Sequence, residues 1–304
     1  MKSRTSYASK ELITPEEIYK KVKFVLWIIL FANVGVAAIK IFVGYFINSA
    51  SLSTDGIHSL SDGMSNVVGI IGITIASKPV DKDHPYGHKK SEIVASLFIG
   101  GMLLFLGMKT LFTGMDRFMN PQDINITLIS LISLIITICI NIFVTTYERK
   151  KGEEYNSYIL VSDSIHTKSD IFISVGVLIS LLGIKFGLPQ IIDPIISIII
   201  SFFILYASYE IFKESIGVLL DKAIVEEDKL MEVLNSYEEI KNIHKIRSRG
   251  SMNDMYIDMH IMIDPNTTTE AAHGLSHDIE KSIKEKINSN AQVIIHIEPY
   301  YKQI

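Results

Sequence analysis

The chain has 304 residues, 48% of them hydrophobic, and a mean hydropathy of +0.31, yet it carries 29 basic and 33 acidic side chains. Such a balance argues against one globular core and for a membrane part joined to a soluble part. A net charge of −4 gives no sign of nucleic-acid binding, and the single cysteine, Cys139, excludes a disulfide framework and leaves metal chemistry to histidine and carboxylate.

Residues 1–23 are polar and basic, with Lys2, Arg4, Lys10, Lys20, Lys21 and Lys23. No small-residue cleavage site follows a short hydrophobic region, so no signal peptide is expected. A bilayer core of roughly 30 Å requires about 20 mostly apolar residues per helix. Six stretches approach that length: Phe24 to Phe46, Leu52 to Ala76, Ile93 to Phe118, Ile124 to Tyr147, Ile159 to Phe186 and Ile191 to Ile211. The fourth has no charged residue, whereas the second and fifth contain Asp and His. Lysine and arginine concentrate in the N-terminal segment, in the expected loop Ser77 to Ser91 and in the expected loop Glu148 to Gly152. The expected loops near Asn48 to Ser51, Met119 to Asp123 and Gly187 to Gln190 have none, although Arg117 and Lys185 flank two of them. Both termini are therefore predicted to be cytoplasmic, with residues 24–212 as a six-helix transmembrane domain.

From residue 213 to 304 the character is soluble. Glu227 to Leu234 and Thr268 to Ile287 read as amphipathic helices, the second opened by a Thr-rich capping region. Met255 to Asp264 alternates, with Met255, Ile257, Met259, Ile261 and Ile263 on one face and Tyr256, Asp258 and His260 on the other. Val293 to Glu298 and Ile243 to Arg247 complete three strands. The expected fold is a membrane all-α six-helix domain followed by a cytoplasmic α+β domain of ferredoxin-like αββαβ order.

The second and fifth apolar runs echo each other. Asp55-Gly56-Ile57-His58-Ser59-Leu60-Ser61-Asp62 and Asp163-Ser164-Ile165-His166-Thr167-Lys168-Ser169-Asp170 are identical at five of eight positions. His and Asp four apart share one helix face, so two such helices facing each other supply two imidazoles and two carboxylates. That set suits a tetrahedral Zn²⁺ site with no position reserved for a reacting water. Ionisable groups at membrane depth cost roughly 2.5 to 3.5 kcal/mol each and mark ion pathways or proton relays. Two matched pairs fit that reading better than simple interhelical hydrogen bonding. Asp55 and Asp163 either support the imidazoles or lie near an aqueous mouth, and the second reading is preferred. An intramembrane hydrolase would need the His-Glu-x-x-His pattern, which is absent, and an open metal position; the chain is not expected to be an enzyme.

Two further groups carry metal-ligand chemistry. In the loop, Asp81, His84 and His88 surround Pro85 and Gly87, which prevent a regular helix and let the three curl around one ion; the alternative is an ordinary solvated loop. In the tail lie His244, His260, His273, His277 and His296, five of the nine histidines, with Glu298 on the same strand face as His296. His260 and His296 fall on the non-core faces of their strands, where a metal shared between faces or subunits could be held.

With these motifs in view, the chain from about Phe24 to Pro299 resembles the cation diffusion facilitator family, and specifically its bacterial zinc and iron efflux branch. The resemblance rests on the paired His-x-x-x-Asp motifs, the loop Asp83-His84-Pro85-Tyr86-Gly87-His88 followed by Lys90 and Glu92, and the ending Ile294-Ile295-His296-Ile297-Glu298-Pro299. It implies a homodimeric, multi-pass protein of the cell membrane that moves divalent metal outward against protons by alternating access. His58, Asp62, His166 and Asp170 would be its transport site, and the two-His, two-Asp form goes with zinc. By the same resemblance Asp81, His84 and His88 form a loop site. His244, His260, His273, His296 and Glu298 would form a cytoplasmic two-metal site, with Glu298 standing where relatives have Asp. Lys90 and Asp221 would be a charge pair locking two protomers. Lys89 stands where a Gly is usual, and His277 has no counterpart and reads as a surface residue. External protons would displace the metal from His58 and His166. Export of Mn²⁺, Fe²⁺, Co²⁺ or Cd²⁺ and a metal sensor that no longer transports are the alternatives.

Overall fold

Pro15 at the first helical position and Glu16 and Glu17 in the first turn start helix α1, Pro15–Phe46, in the way a positive helix N-terminus favours. In the computed structural model, which describes residues 15–46, 50–120 and 128–301, α2 (Ala50–Ala76), α3 (Lys90–Met119), α4 (Leu128–Tyr155), α5 (Tyr158–Lys185) and α6 (Ile192–Leu219) follow. Residues 124–127, expected to start the fourth span, residues 48–49 of the first expected outer loop and residues 121–123 of the second lie outside the described residues. Among the described residues, α1, α3, α4, α5 and α6 are long and apolar enough to cross a membrane, and the described part of α2 contributes the apolar stretch Asp62–Ala76.

Large apolar side chains point away from the bundle: Phe24, Phe31, Phe42, Phe105, Phe143 and Phe202 are all exposed. That is the surface a lipid-facing helix presents, its backbone bonds being satisfied internally. Inside, Val22, Leu26 and Ile29 of α1 pack with Ile73 of α2, Ile99 of α3, Val144 of α4 and Ile159 of α5. Small residues set the helix spacing. A Cβ on Gly72 would collide with Ala95 of α3, and one on Gly69 would sit 2.9 Å from Ile159 of α5.

Hydropathy misplaced one boundary. The expected loop Glu148 to Gly152 is helical, because α4 runs on to Tyr155. Arg149 pairs with Glu153 and Lys151 with Glu154 along the helix, which extends it past its apolar part. The turn into α5 is Asn156, at φ 49°, and Ser157.

The chain divides into two compact units, Met1–Ser215 and Ile216–Ile304. The second contains α7 (Glu227–Leu234), β1 (Asn242–Ser251), β2 (Asp254–Ile263), α8 (Thr269–Lys286) and β3 (Ala291–Pro299). The sheet order is β1-β2-β3, with β1 antiparallel and β3 parallel to the central β2. Met255, Ile257, Met259, Ile261 and Ile263 are buried against Leu230 and Leu234 of α7 and Leu275, Ile279 and Ile283 of α8. Alternation therefore leaves the other sheet face free of these helices. Thr268 caps α8 by accepting from the Ala271 N–H at 3.2 Å.

Candidate functional site

Asp62 of α2 and His166 and Asp170 of α5 each offer a ligand atom, all within 4.8 Å of one another. His166 and Asp170 are buried and Asp62 is half-buried. The Nδ1 of His166 has no hydrogen-bond partner, so it keeps a lone pair or proton to offer. His58 lies on α2 one turn before Asp62, but its side chain, like that of Asp55, lies outside the described residues. Asp163 departs from its expected place near an aqueous mouth. It is fully buried and accepts a hydrogen bond from Asn66 of α2, which in turn accepts from Asn33 of α1 at 3.0 Å.

The loop trio is drawn together by Asp81. Its Oδ1 accepts from the backbone N–H groups of Asp83 at 3.0 Å and His84 at 2.7 Å and lies 3.1 Å from His84 Nδ1. Its Oδ2 lies 3.3 Å from His88 Nε2. Gly87, at φ 81°, turns the chain so that the two imidazoles stand 4.2 Å apart by ring centroid. The His84 backbone N–H, ahead of the imidazole itself, holds the Asp81 carboxyl below its ordinary value. Lys89 sits at the N-cap of α3 directly after this trio.

On the open sheet face the register aligns a row of imidazoles: His244 of β1 is opposite His260 of β2, which is opposite His296 of β3. Neighbouring ring centroids are 5.2 and 4.5 Å apart. Glu298 gathers them, with Oε1 2.7 Å from His260 Nδ1 and 3.6 Å from His296 Nε2, and Oε2 3.3 Å from His244 Nε2. The hydrogen bond from His260 leads the effects that hold the Glu298 carboxyl below its usual range. His273 is not part of this group within one protomer. It lies on α8, which covers the opposite face of the sheet, with its Nε2 3.1 Å from that of His277.

The arrangement is a helical bundle with a buried His/Asp cluster, a His/Asp loop and a His-rich sheet, and family profiles agree with it. The cation efflux transmembrane domain matches residues 26–220, and the cytoplasmic domain of cation efflux proteins matches residues 224–300. The chain belongs to the cation diffusion facilitator family. This facilitator is 32% identical to an uncharacterised transporter of Methanocaldococcus jannaschii, over 84% of this chain and 90% of that one. It is 27% identical to the manganese efflux system protein MneP of Bacillus subtilis, over 95% and 98%. With the cation-efflux pump FieF of Shewanella oneidensis it shares 26% identity over 90% and 94%. It is thus a multi-pass membrane transporter for divalent cations and not an enzyme.

Two features of this facilitator were not among the candidates read from its motifs. Lys40 of α1 is buried and donates to Ser59 of α2 at 2.9 Å, beside the first His-x-x-x-Asp motif. One charge inside an apolar run was the available signal. Glu92, in the first turn of α3, is buried and accepts from the Ser157 hydroxyl at 2.6 Å and the Ile159 N–H at 3.4 Å. It thereby satisfies donors at the N-terminus of α5, the helix of His166 and Asp170. Lys90 opens α3, and Asp221 lies just past α6, at φ 54°, 3.7 Å from Arg249.

Proposed function

We propose that this facilitator exports Zn²⁺ in exchange for protons by alternating access, through His58, Asp62, His166 and Asp170. The observation that supports it most is the convergence of Asp62 with His166 and Asp170 inside the bundle, within 4.8 Å. Two imidazoles and two carboxylates suit zinc in ligand type and number. Ligation needs neutral imidazole and ionised carboxylate, so metal and protons compete; imidazole free in water titrates near ~6.5. External protons then release the ion, and the cytoplasmic metal replaces them on return. Basic residues before α1 and between α2 and α3 favour cytoplasmic termini.

Manganese is the second reading, because two relatives are named for manganese efflux. Manganese prefers oxygen ligands, which Asp62 and Asp170 alone would supply. Asp81, His84 and His88 are assigned to a loop metal, and His244, His260, His296 and Glu298 to a cytoplasmic one. The cytoplasmic unit is assigned to dimerisation, with Lys90 and Asp221 as the charge pair between protomers. His273, on the other layer of the sheet, would join a metal only from a partner subunit.

Purified protein in proteoliposomes, given Zn²⁺, Mn²⁺, Fe²⁺, Co²⁺ and Cd²⁺ in turn, tests this. Proton flux should follow Zn²⁺ most strongly and disappear in His166→Ala and Asp170→Ala. Variants that carry metal as fast as the parent would sink the assigned site, and a faster Mn²⁺ flux would move the preference to manganese.

A further inference from the structure

Glu148 is a buried ionisable group that the metal clusters do not use. It lies on α4, is fully buried, and neither of its carboxyl oxygens has a hydrogen-bond partner. It faces Asp163 of α5, also fully buried, whose Oδ1 is unpartnered and whose Oδ2 accepts from Asn66. One turn before Glu148, the hydroxyl of Thr145 is buried and unpartnered as well. The neighbouring cations are engaged elsewhere: Arg149 with Glu153 at 2.5 Å and Lys151 with Glu154 at 2.7 Å. From α1 and α2 the same region receives the amides of Asn33 and Asn66 and, in the adjoining core, the phenol of Tyr19.

Ionised carboxylates accept hydrogen bonds and donate none. Two of them facing each other in a water-excluded interior repel and leave acceptors empty, which is the costliest state of such a pair. One proton makes one carboxyl a donor to the other and removes both costs.

We infer that Glu148 and Asp163 form a proton-binding site separate from the metal ligands, which holds one shared proton in this conformation and exchanges it during transport. Asp163 is one helical turn from His166, so charge on the pair and charge on the metal cluster oppose each other across a short stretch of α5. Arrival of a dication favours loss of the shared proton, and departure of the dication favours its return. The exchange rests on the metal-for-proton reading above; the presence of the proton does not.

Infrared difference spectra of the full-length protein at neutral pH, parent minus Glu148→Gln and parent minus Asp163→Asn, test the proton directly. A protonated-carboxyl band that shifts in deuterium oxide should be lost in both variants, whose elution on gel filtration reports folding. No lost band in either correctly folded variant overturns the proposal. In proteoliposomes, protons moved per Zn²⁺ should fall by one in Glu148→Gln while Zn²⁺ still moves; an unchanged ratio overturns the exchange. A parent that shows the band but couples no metal to protons sinks the antiport reading and leaves the proton site standing.

Discussion

Acid should release metal from the sheet cluster with a steepness that counts its imidazoles. His244, His260 and His296 stand in one cross-strand row around Glu298. Each ligating imidazole must be neutral, so in acid each contributes one displaced proton. The logarithm of the association constant then falls by one per pH unit for every imidazole that ligates. Glu298 contributes nothing to that slope. Its carboxyl is held below the usual carboxylate range by the His260 hydrogen bond, so it stays ionised until the pH has fallen further still. With three imidazoles, Zn²⁺ affinity should drop roughly a thousandfold per pH unit once acid protonates the free row, about 4 kcal/mol at 1.36 kcal/mol per unit and proton. With two it should drop roughly a hundredfold, about 2.7 kcal/mol. The assay is competition with a zinc chelator across pH on residues 216–304, which have their own closed core. His296→Ala should reduce the slope by one, and Glu298→Gln should weaken binding without changing it. A slope of one or less in the parent would refute the row as the ligand set.

Asp81→Asn removes the oxygens that stand between His84 and His88, and equilibrium dialysis of the whole protein should show one fewer bound Zn²⁺ per chain. Glu92→Ala leaves the Ser157 hydroxyl and the Ile159 N–H without their buried acceptor. It should cost about 1–3 kcal/mol, read as a lower thermal midpoint in detergent. Gly72→Val forces a side chain against Ala95 and should cost about 1–3 kcal/mol by overpacking, with slower metal flux in vesicles. Folding pulled the other way by any of these, as a raised midpoint, would contradict the packing described.

What could be read before the structure depended on how rare each signal is. The matched His-x-x-x-Asp pairs stood out because acids and imidazoles seldom occur inside apolar runs, and α2 and α5 do bring Asp62, His166 and Asp170 together. The alternating faces of β2 were equally visible. Its neighbours were not, because pairing His260 with both His244 and His296 depends on register across strands distant in the chain. Glu148 was hidden by a boundary effect: hydropathy marks where an apolar stretch ends, whereas the helix continues on ion pairs, carrying a carboxyl back into the protein. His273 shows the converse limit, since a histidine's residue type says nothing about which layer of a sandwich carries it.

With metal at the proposed sheet site, the imidazole row would make metal affinity a gauge of strand register. His260 meets His296 only in the observed parallel pairing; displaced by one residue, β3 would offer Ile295 or Ile297 instead and turn His296 toward the helices. A misaligned sheet therefore has no row to offer. If the row holds the metal proposed for it, metal added during refolding would select the correctly paired chains and trap them, so that cation would also act as the unit's proofreader.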